Sequence, residues 1–186
     1  FLFLRRINTS YTKNETLTLD KNELLKGKLL TKNIQIIFSN NIIFLSVIGL
    51  SVFWGVSQGL MAVFPSFAKE YLGVTDVFVI NAVIGASGIG IAIGSLIYSK
   101  ISKHYIEIGT IPFSALGMAL MIYVSTIVQT PFLLGMSFLV FGIFGGLFVV
   151  PLNALIQFNA KKKVLGTILA GNNWFHSVAM FLMLAL

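Results

Sequence analysis

Five apolar stretches, at about 42–67, 76–99, 106–128, 132–156 and 166–186, are each close to the roughly 20 residues that carry a helix across the hydrocarbon core of a bilayer. Nothing else in the chain narrows its fold as far. Lipid offers no partner for a free backbone N–H or C=O, so a spanning segment must be a helix or a strand of a closed barrel. Continuous apolar runs of this length, without strand-like alternation, predict helices. The expected fold class is all-α, a polytopic membrane helix bundle. Composition agrees: 56% of the 186 residues are hydrophobic and 10% charged, against about a quarter charged in a typical soluble domain. Short polar gaps separate the stretches: Lys69-Glu70 with Gly73, Lys100 to His104, Gln129-Thr130-Pro131, and Lys161-Lys162-Lys163.

The cations fall on alternate connections. Seven Lys/Arg precede the first stretch, Lys100 and Lys103 follow the second, and Lys161 to Lys163 follow the fourth. The other two connections hold only Lys69, so twelve cations lie on one side and one on the other. Five alternating crossings under the positive-inside rule give this separation, and four or six would scramble it. The basic side, comprising the linker 5–41 and the loops near 100–105 and 157–165, is therefore expected in the cytoplasm. The net charge of +7 is a topology signal, and no nucleic-acid partner is needed to explain it.

Phe1 to Leu4 followed by Arg5-Arg6 reads as the end of a preceding span and its basic stop, the reverse of a signal peptide's order. Residues 166–186 close inside an apolar run, and the chain reads as an internal piece of a longer protein. Within the polar region 1–41, Leu24, Leu25, Lys28, Leu29, Lys32, Ile36 and Ile37 suggest an amphipathic helix on the membrane surface; a solvated linker is the alternative. With no cysteine there is no disulfide framework, metal–thiolate site or Cys nucleophile.

Residues 85–95, GASGIGIAIGS, test a different reading. A dinucleotide loop needs G-x-G-x-x-G at a strand-to-helix turn with an acid about 20 positions on. Here the third glycine, Gly94, comes one position late, the motif lies in mid-span, and Glu107 lies beyond a turn. No nucleotide or other cofactor is expected. In a membrane helix, Ala86, Gly90 and Gly94 recur every fourth residue and line one face, which Gly85, Gly88 and Ala92 widen. Such faces let helix backbones approach closely. Gly142, Gly145 and Gly146 are expected to do the same in the fourth span.

Several segments resemble bacterial lysophospholipid transporters of the major facilitator superfamily. Residues 145–157, GGLFVVPLNALIQ, look like their tenth helix, and Ser51 to Gly55, SVFWG, like the start of their seventh. Lys103 to Glu107 with Ile111-Pro112 resembles the turn and ninth helix of versions fused to an acyltransferase and acyl-carrier synthetase, and Gly166 to Trp174, GTILAGNNW, the opening of the eleventh. The resemblance covers roughly 42–186 and implies helices seven to eleven, a partial C-terminal half of a twelve-helix fold. It further implies alternating access, a partner N-terminal six-helix half, and movement of lysophospholipid across the inner membrane for re-acylation by a fused or separate acyltransferase. Movement of another amphipathic solute, or an anchoring role without transport, is the alternative. No span contains Arg or Lys at its centre, so a phosphate headgroup's cationic partner is expected from the other half or from the headgroup's own amine.

Polar residues at membrane depth usually face the bundle interior or a cavity. Gln58, near the centre of the first span, and Trp54 one turn earlier are candidates for the substrate path, as are Asn81 and Asn153. Pro151 removes a backbone hydrogen bond, which Asn153 is placed to compensate, so Pro151 with Asn172 and Asn173 are candidate gate or kink residues. His176 can titrate and couple protons, or simply sit at the interface. No catalytic or metal constellation emerges: His104 and His176 lack an acid placed to orient them, and the six acids lie in loops and flanks. The chain is not expected to be an enzyme.

Overall fold

The computed structural model describes residues 34–186 apart from His104, and all its regular structure is helical. A short helical turn at 34–38 leads into α1 (Asn41–Leu72), followed by α2 (Val77–Ile101), α3 (Thr110–Ile127), α4 (Pro131–Asn159) and α5 (Leu165–Ala185). All five are long and apolar enough to cross a membrane. The proposed surface helix lies largely outside the described residues; within them, Ile37 is fully buried against the core.

Local chemistry sets the helix ends. Asn40 caps α1, its Oδ1 accepting from the amides of Ile42 at 2.9 Å and Ile43 at 3.3 Å. Asp76 does the same for α2, accepting from Phe78 N at 2.8 Å. Pro131 begins α4, where its missing N–H costs nothing. At the far end of α1, Gly73 takes the left-handed conformation, φ +65°, and Val74 N donates to Ala68 O at 3.0 Å.

Two expected boundaries move for that reason. The first span was expected to stop near 67 before Lys69-Glu70, but α1 runs through both to Leu72, because only Gly73 supplies a stop. The third span was expected from 106, but 106–109 form a turn in which Thr110 Oγ1 donates to Glu107 O at 2.9 Å, and α3 begins at Thr110.

At the centre stands α4, with α1, α2 and α3 packed around it, and α5 joins the bundle chiefly through α1. The larger core cluster gathers Val47, Leu50 and Phe53 of α1 with Phe141, Phe148 and Leu152 of α4. A smaller cluster joins Phe64 and Ala68 to Val83 and Phe138. Alternate connections share an end of the bundle. Residues Ser39, Asn40, Asn159, Lys161 and Ile168 line one cavity of about 390 Å³, whereas Leu72, Val74, Ile80 and Pro131 meet at the opposite end. The start of α1 and the basic loop at Lys161 thus share one end.

Candidate functional site

The helices meet through two unlike seams. Between α2 and α4, backbone touches backbone. A β-carbon added at Gly90 would overlap the carbonyl oxygen of Leu139, and one at Gly94 that of Ile143. From the other side, one at Gly142 would overlap the carbonyl of Ser87 and one at Gly146 that of Ile91. The buried stripe of α2 is Val83, Ser87, Gly90, Gly94 and Tyr98. Ala86 is half-buried at its edge. The expected widening by Gly85, Gly88 and Ala92 is not what the packing uses: Ala92 is exposed, and Gly85 and Gly88 have nothing near them. At 100° per residue these three turn away from the stripe that Ser87 completes. Gly145 also departs from the expectation, because it receives the Phe53 ring of α1, with Cε2 2.9 Å from an added β-carbon.

Between α1 and α5 the glycines of α1 meet other groups. Gly55 faces the Ala179 carbonyl oxygen, 3.2 Å from an added β-carbon, and Gly59 faces the Met183 side chain at 2.9 Å. With buried Ser51 these form a four-residue repeat that was readable in the sequence and went unnoticed beside the richer glycine run at 85–95.

The polar candidates gather along this second seam. The rings of Trp54 and His176 lie with centroids 6.4 Å apart at 42°. Asn172 is one turn before His176 on α5 and only 4% exposed; Gln58 is one turn after Trp54 on α1 and half-buried. Serines elsewhere in the bundle satisfy themselves by donating to the preceding turn, as Ser46 does to Ile42 O at 2.8 Å, Ser51 to Val47 O at 2.7 Å and Ser137 to Leu133 O at 3.0 Å. Asn172 Oδ1 and His176 Nε2 are buried with no hydrogen-bond partner among the described residues, as are Ser57 Oγ and, near the basic end, Tyr98 Oη. Buried polar atoms without partners are rare in folded proteins, and two of these four lie one turn apart on one helix beside an aromatic wall.

The remaining candidates lie apart from that pair. Asn81 is exposed on α2, and Asn173 is exposed on the other side of α5, where its carbonyl accepts from Ser177 Oγ at 3.0 Å. Pro151 is buried in α4. Asn153 Nδ2 donates to Val149 O at 3.0 Å, so it does not serve the carbonyl that Pro151 frees, which is that of Leu147 four residues earlier. The reason is reach: an Asn bonds back one turn along its own helix, and one turn before Asn153 is Val149. A second proline inside a span, Pro65 of α1, escaped the sequence reading. No group of three or more metal-ligating side chains occurs among the described residues.

This chain is similar to curated transporters. The lysophospholipid transporter LplT of Photorhabdus laumondii is 30% identical over 146 residues, and those of Serratia proteamaculans and Escherichia coli O157:H7 are 33% and 32% identical. Each match covers 76% of this chain and 35–36% of the relative, so the chain spans about a third of these proteins' length. No solved structure matches. The sequence profile of the Major Facilitator Superfamily matches residues 1–184. With five apolar helices packed in a multi-pass bundle, the chain belongs to the Major Facilitator Superfamily.

Proposed function

We propose that the chain is part of a transporter that moves lysophospholipid across the bacterial inner membrane by alternating access. The observation that carries this reading is its 30–33% identity to lysophospholipid transporters across three-quarters of its length. In this reading a further six-helix half completes the path, an acyltransferase re-acylates the product, and α1 contributes Trp54 and Gln58 to the path. The basic end faces the cytoplasm. A cytoplasm-only reporter fused after Lys163 then gives signal and one fused after Gln129 does not; the reverse pattern overturns the orientation.

The functional test is lysophospholipid uptake and re-acylation in spheroplasts, with the protein as its gene encodes it, normalised to membrane level. Uptake no greater than in cells lacking the protein rejects the transporter reading. The Gln58→Leu variant should insert normally, because Leu is favourable at a helix centre. Losing one hydrogen bond, worth roughly 0.5–1.5 kcal/mol, should lower apparent affinity by up to about tenfold. Unchanged uptake at unchanged abundance removes Gln58 from the path.

A further inference from the structure

We propose that Asn172 and His176, walled by Trp54, recognise the free glycerol hydroxyl that distinguishes a lysophospholipid from its diacyl parent. The inference rests on the transport reading and adds to it how the substrate is selected.

The chemistry of the two atoms limits the ligand. An amide Oδ1 can only accept, so whatever completes Asn172 must donate. Imidazole Nε2 accepts in one neutral tautomer and donates in the other, so it adapts to its partner, and Asn172 sets the stricter demand. A hydroxyl meets both demands, since it carries one donor and two acceptor lone pairs. Phosphate oxygens cannot donate to Asn172. An ammonium can donate to both atoms, but neither Asn172 nor His176 is a carboxylate to balance its charge. The two unpartnered atoms are best served by a neutral group that can donate.

The surroundings fit the rest of such a molecule. Trp54 is 38% exposed and His176 half-buried, so the pair has an open side. With Asn172 only 4% exposed, a small polar group such as a hydroxyl is the size of partner the site admits. On α1 the exposed, apolar Met61 lies two turns beyond Trp54 on nearly the same face, a surface suited to an acyl chain. A diacyl lipid has an ester where the hydroxyl stood. It brings no donor, and it leaves Asn172 Oδ1 buried and unpaired. Sites built to hydrogen-bond a hydroxyl discriminate strongly against analogues that lack it, for this reason.

The experiment compares uptake of 1-acyl-lysophosphatidylethanolamine with that of its 2-deoxy analogue, in which hydrogen replaces the hydroxyl. Spheroplasts carry the protein as its gene encodes it. The wild type should take up the hydroxyl form at least about tenfold better than the deoxy form. Asn172→Ala should bring that ratio close to one, chiefly by slowing the hydroxyl form. A wild-type ratio near one overturns the proposal while leaving transport itself in place, and it needs no variant to fold. An Asn172→Ala protein present at normal level that keeps the full ratio overturns it as well. Should Asn172→Ala fail to reach the membrane, His176→Phe is the second variant, and a retained ratio there has the same meaning. Absence of any lysophospholipid uptake by the wild type removes the transport reading and this proposal with it.

Discussion

The α2–α4 and α1–α5 seams use the same small-residue spacing to different ends. In the first, glycines stand on both helices, and each would-be β-carbon runs into the partner's main chain. Carbonyl oxygens of a helix cannot step aside without breaking the ladder that holds them, so this contact has one geometry. In the second, α5 also carries a buried glycine, Gly171, but Gly55 and Gly59 of α1 do not face it. They meet a carbonyl at 3.2 Å and, one turn later, the side chain of Met183. Methionine has three rotatable bonds and fills irregular gaps. The second contact can therefore accommodate small shifts, and it is there that the unpartnered Asn172 and His176 lie. The contrast teaches that glycine count alone does not measure how tightly two helices are locked; what faces the glycine decides.

Three substitutions break or sharpen this contrast, each read as the midpoint of thermal unfolding of the detergent-solubilised protein. Gly142→Ala should cost most, about 2–3 kcal/mol, because the new methyl meets the Ser87 main chain. Gly88→Ala should stabilise by about 0.5–1 kcal/mol, because its surroundings are open and alanine is the better helix former. Gly59→Ala should fall within about 0.5 kcal/mol of the parent, the propensity gain being offset by repositioning Met183. If Gly59→Ala costs as much as Gly142→Ala, the two seams are equally rigid and the distinction fails. If Gly142→Ala is tolerated, the backbone contact is not the lock described here.

The five helices were legible because membrane depth imposes a length that sequence displays directly. Their ends were less so. Lys69 and Glu70 read as a gap but lie within α1, since charges near a helix end can reach out of the apolar layer while the backbone continues to Gly73. The glycine-rich run announced close packing correctly in kind, yet which glycines pack depends on where α4 lies, and no local pattern carries that. Gly90 and Gly94 meet it; Gly85 and Gly88, from the same eleven residues, meet nothing. The sequence also suggested Asn153 as the partner for the carbonyl freed by Pro151, and helix geometry directs it to Val149 instead. The condition of Asn172 and His176 lies beyond sequence reading altogether. Being without a partner is a property of everything around a side chain, and it emerges only when five helices are in place.

At 32 residues and 1.5 Å per residue, α1 is about 48 Å long, against a hydrocarbon core of about 30 Å. The excess must be taken up by slant or by standing proud of the lipid, and the end that carries Phe67 stacked on Tyr71, ring centroids 5.3 Å apart, is suited to float at the headgroup level. An anchored aromatic end makes α1 a lever, whose far end, buried through Ile43 and Val47, moves with its neighbours. A swing of about 10° about the Phe67–Tyr71 end would carry the opposite tip, near Asn40, through about 8 Å, whereas Trp54, roughly midway, would travel about half as far. Under the transport reading proposed above, the polar pair beside Trp54 would thus feel a few ångströms of movement with each such swing, enough to make and break a hydrogen bond without dismantling the bundle.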